Sequence, residues 1–233
     1  MSKPVYFLGI DLGSSAVKIT IFDASAGRSI DTVTYPEKEM KIISKEFGWA
    51  EQDPNYWWHC IESGLLKLKA RNNMKDIMSI GVSYQMHGLV AIDSEGNPII
   101  PPIIWCDSRA VEIGKKAEKK IKREVLENQK LNSPGNFTAS KLRWVYENDK
   151  DSFSKIYKIM LPGDFIAFKM TGKISTTPSG LSEGIMWDYH SNSVNNEILE
   201  VYDMDKSIIP DIVDNIGNQG NLSEEICDKF GFR

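Results

Sequence analysis

The sequence predicts an α/β domain built on a mixed β-sheet. Three segments of strand-like pattern open the chain and further strands alternate with helices after them, an order typical of α/β rather than all-β or all-helical proteins. The 233 residues are 41% hydrophobic and 26% charged, which is the composition of a globular protein. No low-complexity linker divides the chain, so we expect one large domain or a tight pair.

The first three strands are predicted from the opening segments. Residues 5–10 form a continuous apolar run that ends at Asp11, and residues 16–23 alternate apolar with polar side chains. A tight glycine turn joins these two segments, and residues 29–35 follow a second turn at Gly27. The pattern therefore predicts an antiparallel meander.

The segments that follow predict helices and further strands. Asp53 and Pro54 supply an N-cap and a proline at the first helical position, and apolar residues then recur at helical spacing to about Ala70. From Ala110 an apolar helical stripe continues to Val125, and the glutamates among its lysines favour a solvated helix face over a nucleic-acid site. The remaining predicted elements are buried strands at 78–83 and 89–92 and helices at about 138–147 and 164–170, the last ended by Gly172.

Charge and cysteine content restrict the class of partner. The net charge of −4 argues against nucleic acid or an anionic membrane as the main partner. Cys60, Cys106 and Cys227 lack metal-ligand spacing, which indicates reduced thiols, and the first apolar run is too short for a signal peptide or a membrane span. We expect a cytoplasmic protein. Six tryptophans leave a homodimer open.

The first candidate site is the turn after the first strand, Gly9-Ile10-Asp11-Leu12-Gly13-Ser14-Ser15. Gly13 can adopt a backbone conformation closed to other residues, and the amides and hydroxyls of Ser14 and Ser15 can bind phosphate oxygens. Asp11 can hold a hydrated Mg²⁺ beside them. A hairpin turn with aspartate and glycine present only for geometry is the alternative.

This opening resembles the first phosphate motif of the sugar-kinase, Hsp70 and actin superfamily, and four further stretches narrow the resemblance to the FGGY carbohydrate kinases. The first is Gly48-Trp49-Ala50-Glu51-Gln52-Asp53-Pro54. Two more each follow a strand, and these are Gln85-Met86-His87-Gly88 and Trp105-Cys106-Asp107-Ser108-Arg109. The fourth is Phe137-Thr138-Ala139-Ser140-Lys141-Leu142-Arg143-Trp144-Val145.

The resemblance implies a fold and a reaction. It implies a ribonuclease H-like fold with an inserted sugar-binding lobe, ATP and Mg²⁺ as cofactors, and residues 1–233 as the N-terminal domain. Asp11 then places metal and phosphate, with the metal held through water, and Gly13, Ser14 and Ser15 face the γ-phosphate. The general base of these kinases is an aspartate in a Gly-Asp segment of the second half, which this chain lacks. We therefore expect the chain alone to be inactive without the C-terminal kinase domain.

The same resemblance identifies a sugar end. The Gln85 to Gly88 segment is most similar to xylulokinases, which convert D-xylulose to D-xylulose 5-phosphate, and it implies substrate contacts from Gln85, Met86 and His87. Asp107 and Arg109 border the sugar pocket in the family. His87 as a structural histidine, and Asp107 with Arg109 as a loop-closing salt bridge, are the alternatives.

Three other points stay open at this stage. Asn136 departs from the family signature and is expected either to contact a sugar hydroxyl or to cap the helix near Thr138. A kinase for another polyol or a sugar acid, such as gluconate or ribulose, fits the same framework. A non-catalytic module of this fold, for sugar sensing or protein binding, is the rival from another class.

Overall fold

The computed structural model describes residues 5–129 and 134–233. Short 3₁₀ helices occur at Met74–Asp76, Pro134–Asn136 and Lys206–Ile208. The strands are β1 (Tyr6–Leu12), β2 (Val17–Asp23), β3 (Arg28–Tyr35), β4 (Ile77–Tyr84), β5 (Val90–Ile92), β6 (Lys158–Met160), β7 (Ser175–Thr176), β8 (Trp187–Asp188), β9 (Ser193–Val194) and β10 (Asp211–Ile212). The helices are α1 (Pro54–Lys69), α2 (Val111–Glu118), α3 (Arg123–Gln129), α4 (Thr138–Asn148), α5 (Lys150–Phe153), α6 (Pro162–Thr171), α7 (Pro178–Glu183), α8 (Asn196–Tyr202) and α9 (Glu224–Phe230).

The main sheet is mixed and has the strand order β3-β2-β1-β4. β1 pairs antiparallel with β2, and β2 pairs antiparallel with β3, so the predicted meander is confirmed. β4 lies parallel to β1, after a crossover that contains α1. The predicted mixed α/β architecture is confirmed.

β4 lies at the edge of this sheet within the described residues, and the prediction of a buried strand there is wrong. None of its residues is fully buried, and Met78 is 71% exposed. A groove of about 960 Å³ runs along the strand and includes Tyr84, Asp164 and Phe232 in its lining. An apolar run of this length indicates a strand, but it does not distinguish a strand with two neighbours from one with a single neighbour.

Two clusters of buried apolar side chains stabilise the fold. The first joins one face of the main sheet to α1, α6 and α9, and it includes Leu8, Ile10 and Trp57. The second lies among the inserted segments and includes Leu142 of α4 and Leu199 of α8. The second cluster fits the inserted lobe that the resemblance implies.

The helix predictions hold with two corrections. The stripe from Ala110 to Val125 belongs to two helices, α2 and α3, rather than one. Ile121, between the two helices, is still buried. The spacing of apolar residues therefore predicted which side chains are buried, but not whether the helix is continuous. α6 begins at Pro162, earlier than predicted, and Asp164 accepts a hydrogen bond from the Leu161 amide at its start.

The predicted helix-end residues mostly occupy their places. Asp53 caps α1 by accepting from the Asn55 amide, and Gly172 ends α6 with a φ of 72°. Asn136 does not cap α4, whose N-cap is Phe137 without a side-chain bond. Among the described residues, no helix combines the length and the apolar character needed to cross a membrane.

Candidate functional site

The two segments predicted to bind phosphate and sugar follow neighbouring parallel strands. Asp11 pairs with Ser83, and Leu12 pairs with Tyr84, in the register of β1 with β4. The turn at Gly13 and the segment that starts at Gln85 therefore follow the carboxyl ends of two adjacent parallel strands. The carboxyl ends of parallel strands are where open α/β sheets bind ligands.

The side chain of Gln52 bridges these two segments by hydrogen bonds. Its Nε2 donates to the Ser14 carbonyl at 2.7 Å, and its Oε1 accepts from Gln85 Nε2 at 3.0 Å. The Gln85 amide also donates to the Leu12 carbonyl at 2.7 Å. The candidate phosphate turn and the candidate sugar segment thus form one connected unit.

The orientation of the Gln85 side chain follows from this network. The indole N–H of Trp57, which can only donate, bonds Gln52 Oε1 at 3.0 Å, so that atom is an acceptor. Gln85 must present its NH₂ group to the same oxygen. Its own Oε1 is then buried without a partner among the described residues. A buried acceptor of this kind needs a donor, which a ligand hydroxyl or a water supplies.

The phosphate turn presents Asp11 to solvent. Its carboxylate is exposed and accepts a hydrogen bond from Ser83 Oγ at 3.0 Å. No cluster of three metal-ligating side chains occurs among the described residues. A lone exposed carboxylate fits a hydrated Mg²⁺, which binds proteins through one or two carboxylates and completes its shell with phosphates and water.

Space rather than an unusual backbone angle favours glycine at position 13. Its φ lies outside the left-handed region, contrary to the expectation of a conformation closed to other residues. A Cβ there would lie 3.1 Å from the Ala16 carbonyl oxygen, to which the Gly13 amide donates at 3.0 Å. Ser14 is half-buried and Ser15 is exposed beside this tight turn.

His87 adopts a left-handed backbone conformation, with a φ of 58°. Its amide donates to Glu183 Oε1, and its carbonyl accepts from Lys141 Nζ at 2.5 Å. Burial lowers the pKa of His87, and the hydrogen bond to the Glu183 backbone opposes that shift only in part. Burial also lowers the pKa of Lys141 to about 8, although the carboxylate of Asp107 opposes the shift.

Asp107 and Arg109 form a buried ion pair rather than an open polar frame. The Arg109 side chain is 3% exposed and bonds both oxygens of Asp107, while its Nη1 lies 2.9 Å from Glu51 Oε1. Asp107 also accepts from the Ala50 amide at 2.6 Å. This is the loop-closing salt bridge considered above, enlarged by a second carboxylate.

Two tryptophans enclose the same guanidinium. Its central carbon lies 3.8 Å from the ring centroid of Trp49 and 4.9 Å from that of Trp144. These distances are within the range of cation–π attraction. The contacts join three of the recognised stretches, which carry Trp49, Arg109 and Trp144, into one cluster.

The remaining predicted site residues are Asn136 and Met86, and Asn136 contacts the loop that carries Trp105. Asn136 Nδ2 donates to the Trp105 carbonyl at 2.6 Å, and its Oδ1 is buried without a partner among the described residues. Met86 is 55% exposed and Trp105 is 45% exposed.

Sequence reasoning gave no site role to Gln52 and Glu51 and did not consider Glu183. The first two lie within a recognised stretch, so the motif was visible although their partners were not. Glu183 follows β7 in a segment that carries no quoted motif, and only its contact with His87 reveals it.

Comparison with known protein families identifies the family of this chain. Residues 6–233 match the family model described as the FGGY family of carbohydrate kinases, N-terminal domain. The chain belongs to the FGGY family. The resemblance stated from the sequence motifs is therefore confirmed.

The relatives of this FGGY chain include xylulose kinases and a gluconate kinase. Xylulose kinase of Staphylococcus xylosus is 33% identical over 231 residues, which cover 97% of this chain and 46% of the relative. The crystal structure of a "xyloylose kinase" from Brucella ovis has a TM-score of 0.88 at 27% identity, covering 98% of this chain and 46% of that one. Gluconate kinase from Lactobacillus acidophilus has the same fold, with a TM-score of 0.89, 22% identity, and coverage of 99% and 46%. The chain spans about half the length of the curated relatives that it matches.

Proposed function

We propose that this chain supplies the sugar site and the phosphate turn of an ATP-dependent sugar kinase that converts D-xylulose to D-xylulose 5-phosphate. The observation that carries the proposal is the bonded pair of segments at the carboxyl ends of β1 and β4. The xylulose kinases among the relatives support the choice of substrate. A C-terminal kinase domain completes the enzyme in this proposal.

At the phosphate end, Asp11 holds a hydrated Mg²⁺ while Gly13, Ser14 and Ser15 face the γ-phosphate of ATP. The metal, when bound, neutralises charge on the phosphates and on the transferring group. The protein contributes positioning: the Ser83 hydroxyl orients the Asp11 carboxylate, and the tight Gly13 turn lets backbone donors approach the phosphate.

At the sugar end, Gln85, His87 and Asn136 supply directional contacts. Gln85 Oε1 and Asn136 Oδ1 accept from hydroxyls of the substrate, which gives partners to two buried oxygens. Met86 supplies an apolar wall. Asp107 and Arg109 act by fixing the loop that carries Trp105, because both are already paired with each other.

A sugar acid is the second candidate substrate. The similarity of the fold to a gluconate kinase favours it, since the framework is shared and pocket substitutions redirect specificity. A carboxylate substrate needs a cation at the sugar end. Arg109 is paired with two carboxylates, and Lys141 Nζ donates to two carbonyls, so both cations already have partners other than a substrate carboxylate. This favours a neutral sugar.

The test is the rate of ADP formation by the intact kinase with a panel of D-xylulose, D-ribulose, gluconate and glycerol. We expect the highest kcat/KM with xylulose. Asp11→Asn should reduce kcat at least a hundredfold, and Asp151→Asn, at an exposed carboxylate, is the control that should not. A kcat/KM higher for gluconate would refute the substrate, and activity with no member of the panel would refute the kinase.

The chain by itself should not turn over, since the family's general base lies in a segment that it does not contain. Xylulose-dependent ADP formation by residues 1–233 alone would contradict this part of the proposal.

A further inference from the structure

His87 is held in a strained backbone conformation by the buried side chain of Lys141 and the half-buried side chain of Glu183. A non-glycine residue in the left-handed region costs conformational free energy, and such residues persist only where the surroundings determine them. Here the Glu183 carboxylate fixes the His87 amide, and the Lys141 ammonium fixes its carbonyl. Both polar groups of one peptide segment are therefore clamped by charged side chains.

The imidazole ring is fixed by the same partner. Its Nδ1 lies 3.2 Å from the Glu183 carbonyl oxygen. A carbonyl oxygen only accepts hydrogen bonds, so Nδ1 carries the proton in this contact. Phe137 packs edge-on against the ring at 4.5 Å between centroids, which limits its rotation.

The protonation state follows from the surroundings. Burial lowers the pKa of His87, and the nearby Lys141 ammonium acts in the same direction. The ring is therefore neutral at physiological pH, with one N–H and one lone pair. Since Nδ1 holds the hydrogen, the lone pair is on Nε2.

We propose that Glu183 and Lys141 are positioning residues that hold His87 as its Nδ1–H tautomer, which leaves Nε2 as an acceptor for a hydroxyl of the bound sugar. The sugar part of this statement rests on the proposed function above. The tautomer part rests only on contacts within the chain. Glu183 serves twice, because its carboxylate holds the backbone and its carbonyl, at the end of α7, holds the ring.

Lys141 extends the arrangement to the second loop of the site. Its Nζ also donates to the Ile104 carbonyl at 2.9 Å, directly before Trp105. One buried ammonium thus fixes the distance between the His87 segment and the Trp105 loop. We expect its loss to affect the sugar site more than the phosphate turn, which Gln52 holds independently.

The experiment is ¹⁵N NMR of the imidazole nitrogens in the 233-residue chain, which has three histidines. His87→Gln assigns the signals, and His59 and His190 are internal references. We expect His87 to show a protonated Nδ1 and a bare Nε2 at pH 7.5. The opposite tautomer, or a charged ring, would overturn the proposal whatever the enzyme does.

Variants at position 183 test the carboxylate. Glu183→Gln keeps an oxygen that accepts from the His87 amide and should keep the tautomer. Glu183→Leu removes it and should reduce the Nδ1–H population to less than half. An unchanged tautomer in Glu183→Leu would refute the positioning role. If that variant does not fold, the same spectrum of Lys141→Met, with its acceptor carbonyls intact, replaces it.

Kinetics of the intact kinase test the sugar contact. Glu183→Leu should raise KM for the sugar about tenfold and leave KM for ATP within twofold, whereas a general loss of structure would affect both. Equal effects on both KM values would overturn the sugar contact. Absence of any sugar phosphorylation by the wild-type kinase would refute the proposed function instead, and the NMR result would still decide the tautomer.

Discussion

Replacement of Arg109 by methionine tests whether the buried ion cluster stabilises the fold. The guanidinium bonds Asp107 and Glu51, whose side chains are 0% and 6% exposed, and it lies between Trp49 and Trp144. Methionine fills similar volume without charge. The change removes the paired cation of Asp107 and leaves Glu51 with only the exposed Lys45, whose Nζ lies 3.1 Å from Glu51 Oε2.

The magnitude follows from that burial. Removal of one partner from a buried pair costs about 3–5 kcal/mol, because an uncompensated charge remains. The loss of cation–π contact adds about 1 kcal/mol. Asp107 keeps its bonds from the backbone amides of Ala50 and Arg109, which holds the total toward the lower end. We expect about 4 kcal/mol, a large part of the roughly 5–15 kcal/mol of an ordinary domain.

Urea unfolding measures the effect as a change in the free energy of unfolding. Arg123→Met is the control, because Arg123 and Glu127 form an exposed pair and its loss should cost less than about 0.5 kcal/mol. Glu51→Gln in the Arg109→Met background should recover about 1 kcal/mol by removing a buried carboxylate whose remaining cation, Lys45, is exposed. A loss under about 1 kcal/mol, or no recovery in the double variant, would refute the reasoning.

Three further changes test other parts of the molecule. Burial raises the pKa of Asp164 from 3.8 to about 7, so between these pH values the folded state binds a proton that the unfolded state has lost. The free energy of unfolding should therefore fall as the pH rises from 4 to 7, relative to that of Asp164→Asn. Stabilities of the two proteins in urea that change in parallel between pH 5 and 7.5 would contradict this. Gln85→Met should raise KM for the sugar about tenfold with an unchanged midpoint of thermal unfolding, and an unchanged KM would show that water alone satisfies Oε1. Gly163→Ala places a Cβ 2.0 Å from Tyr84 Cδ1 and should cost about 1–3 kcal/mol in urea, and a change under about 0.5 kcal/mol would show that the ring moves freely.

Local patterns in the sequence predicted the elements well where one rule was sufficient. A continuous apolar run predicted β1, alternation predicted β2, and the turn at Gly27 placed β3, while Asp53, Pro54 and Gly172 marked helix ends. Properties that depend on neighbours were not predictable. The exposure of β4 depends on which strands pair beside it, and the break between α2 and α3 preserves the apolar period. Tertiary context decides such cases.

The site residues divide in the same way. Recognised motifs located the phosphate turn and the His87 segment, because these stretches are continuous in sequence. The contacts of Gln52, Glu183 and Lys141 join segments that are 33 to 96 residues apart, as in the bonds from Gln52 to Gln85 and from Glu183 to His87. No spacing rule predicts pairs at that separation. For Asp107 and Arg109, the residue types allowed both a sugar contact and a salt bridge, and only their burial distinguishes the two arrangements.

The position of Asp11 shows how ordinary core packing aims a candidate functional group. Leu8, Ile10 and Leu12 of β1 are buried on one face, so the intervening Asp11 must point to the other. A one-residue slip of β1 against β4 would bury the Asp11 carboxylate and expose the side chains of Leu8, Ile10 and Leu12. The burial of these three side chains, each worth about 2 kcal/mol, opposes that slip. The direction of the carboxylate is therefore set by the burial of the neighbouring apolar residues. Ser83, which pairs with Asp11 in the sheet, then orients the carboxylate by a hydrogen bond from its hydroxyl.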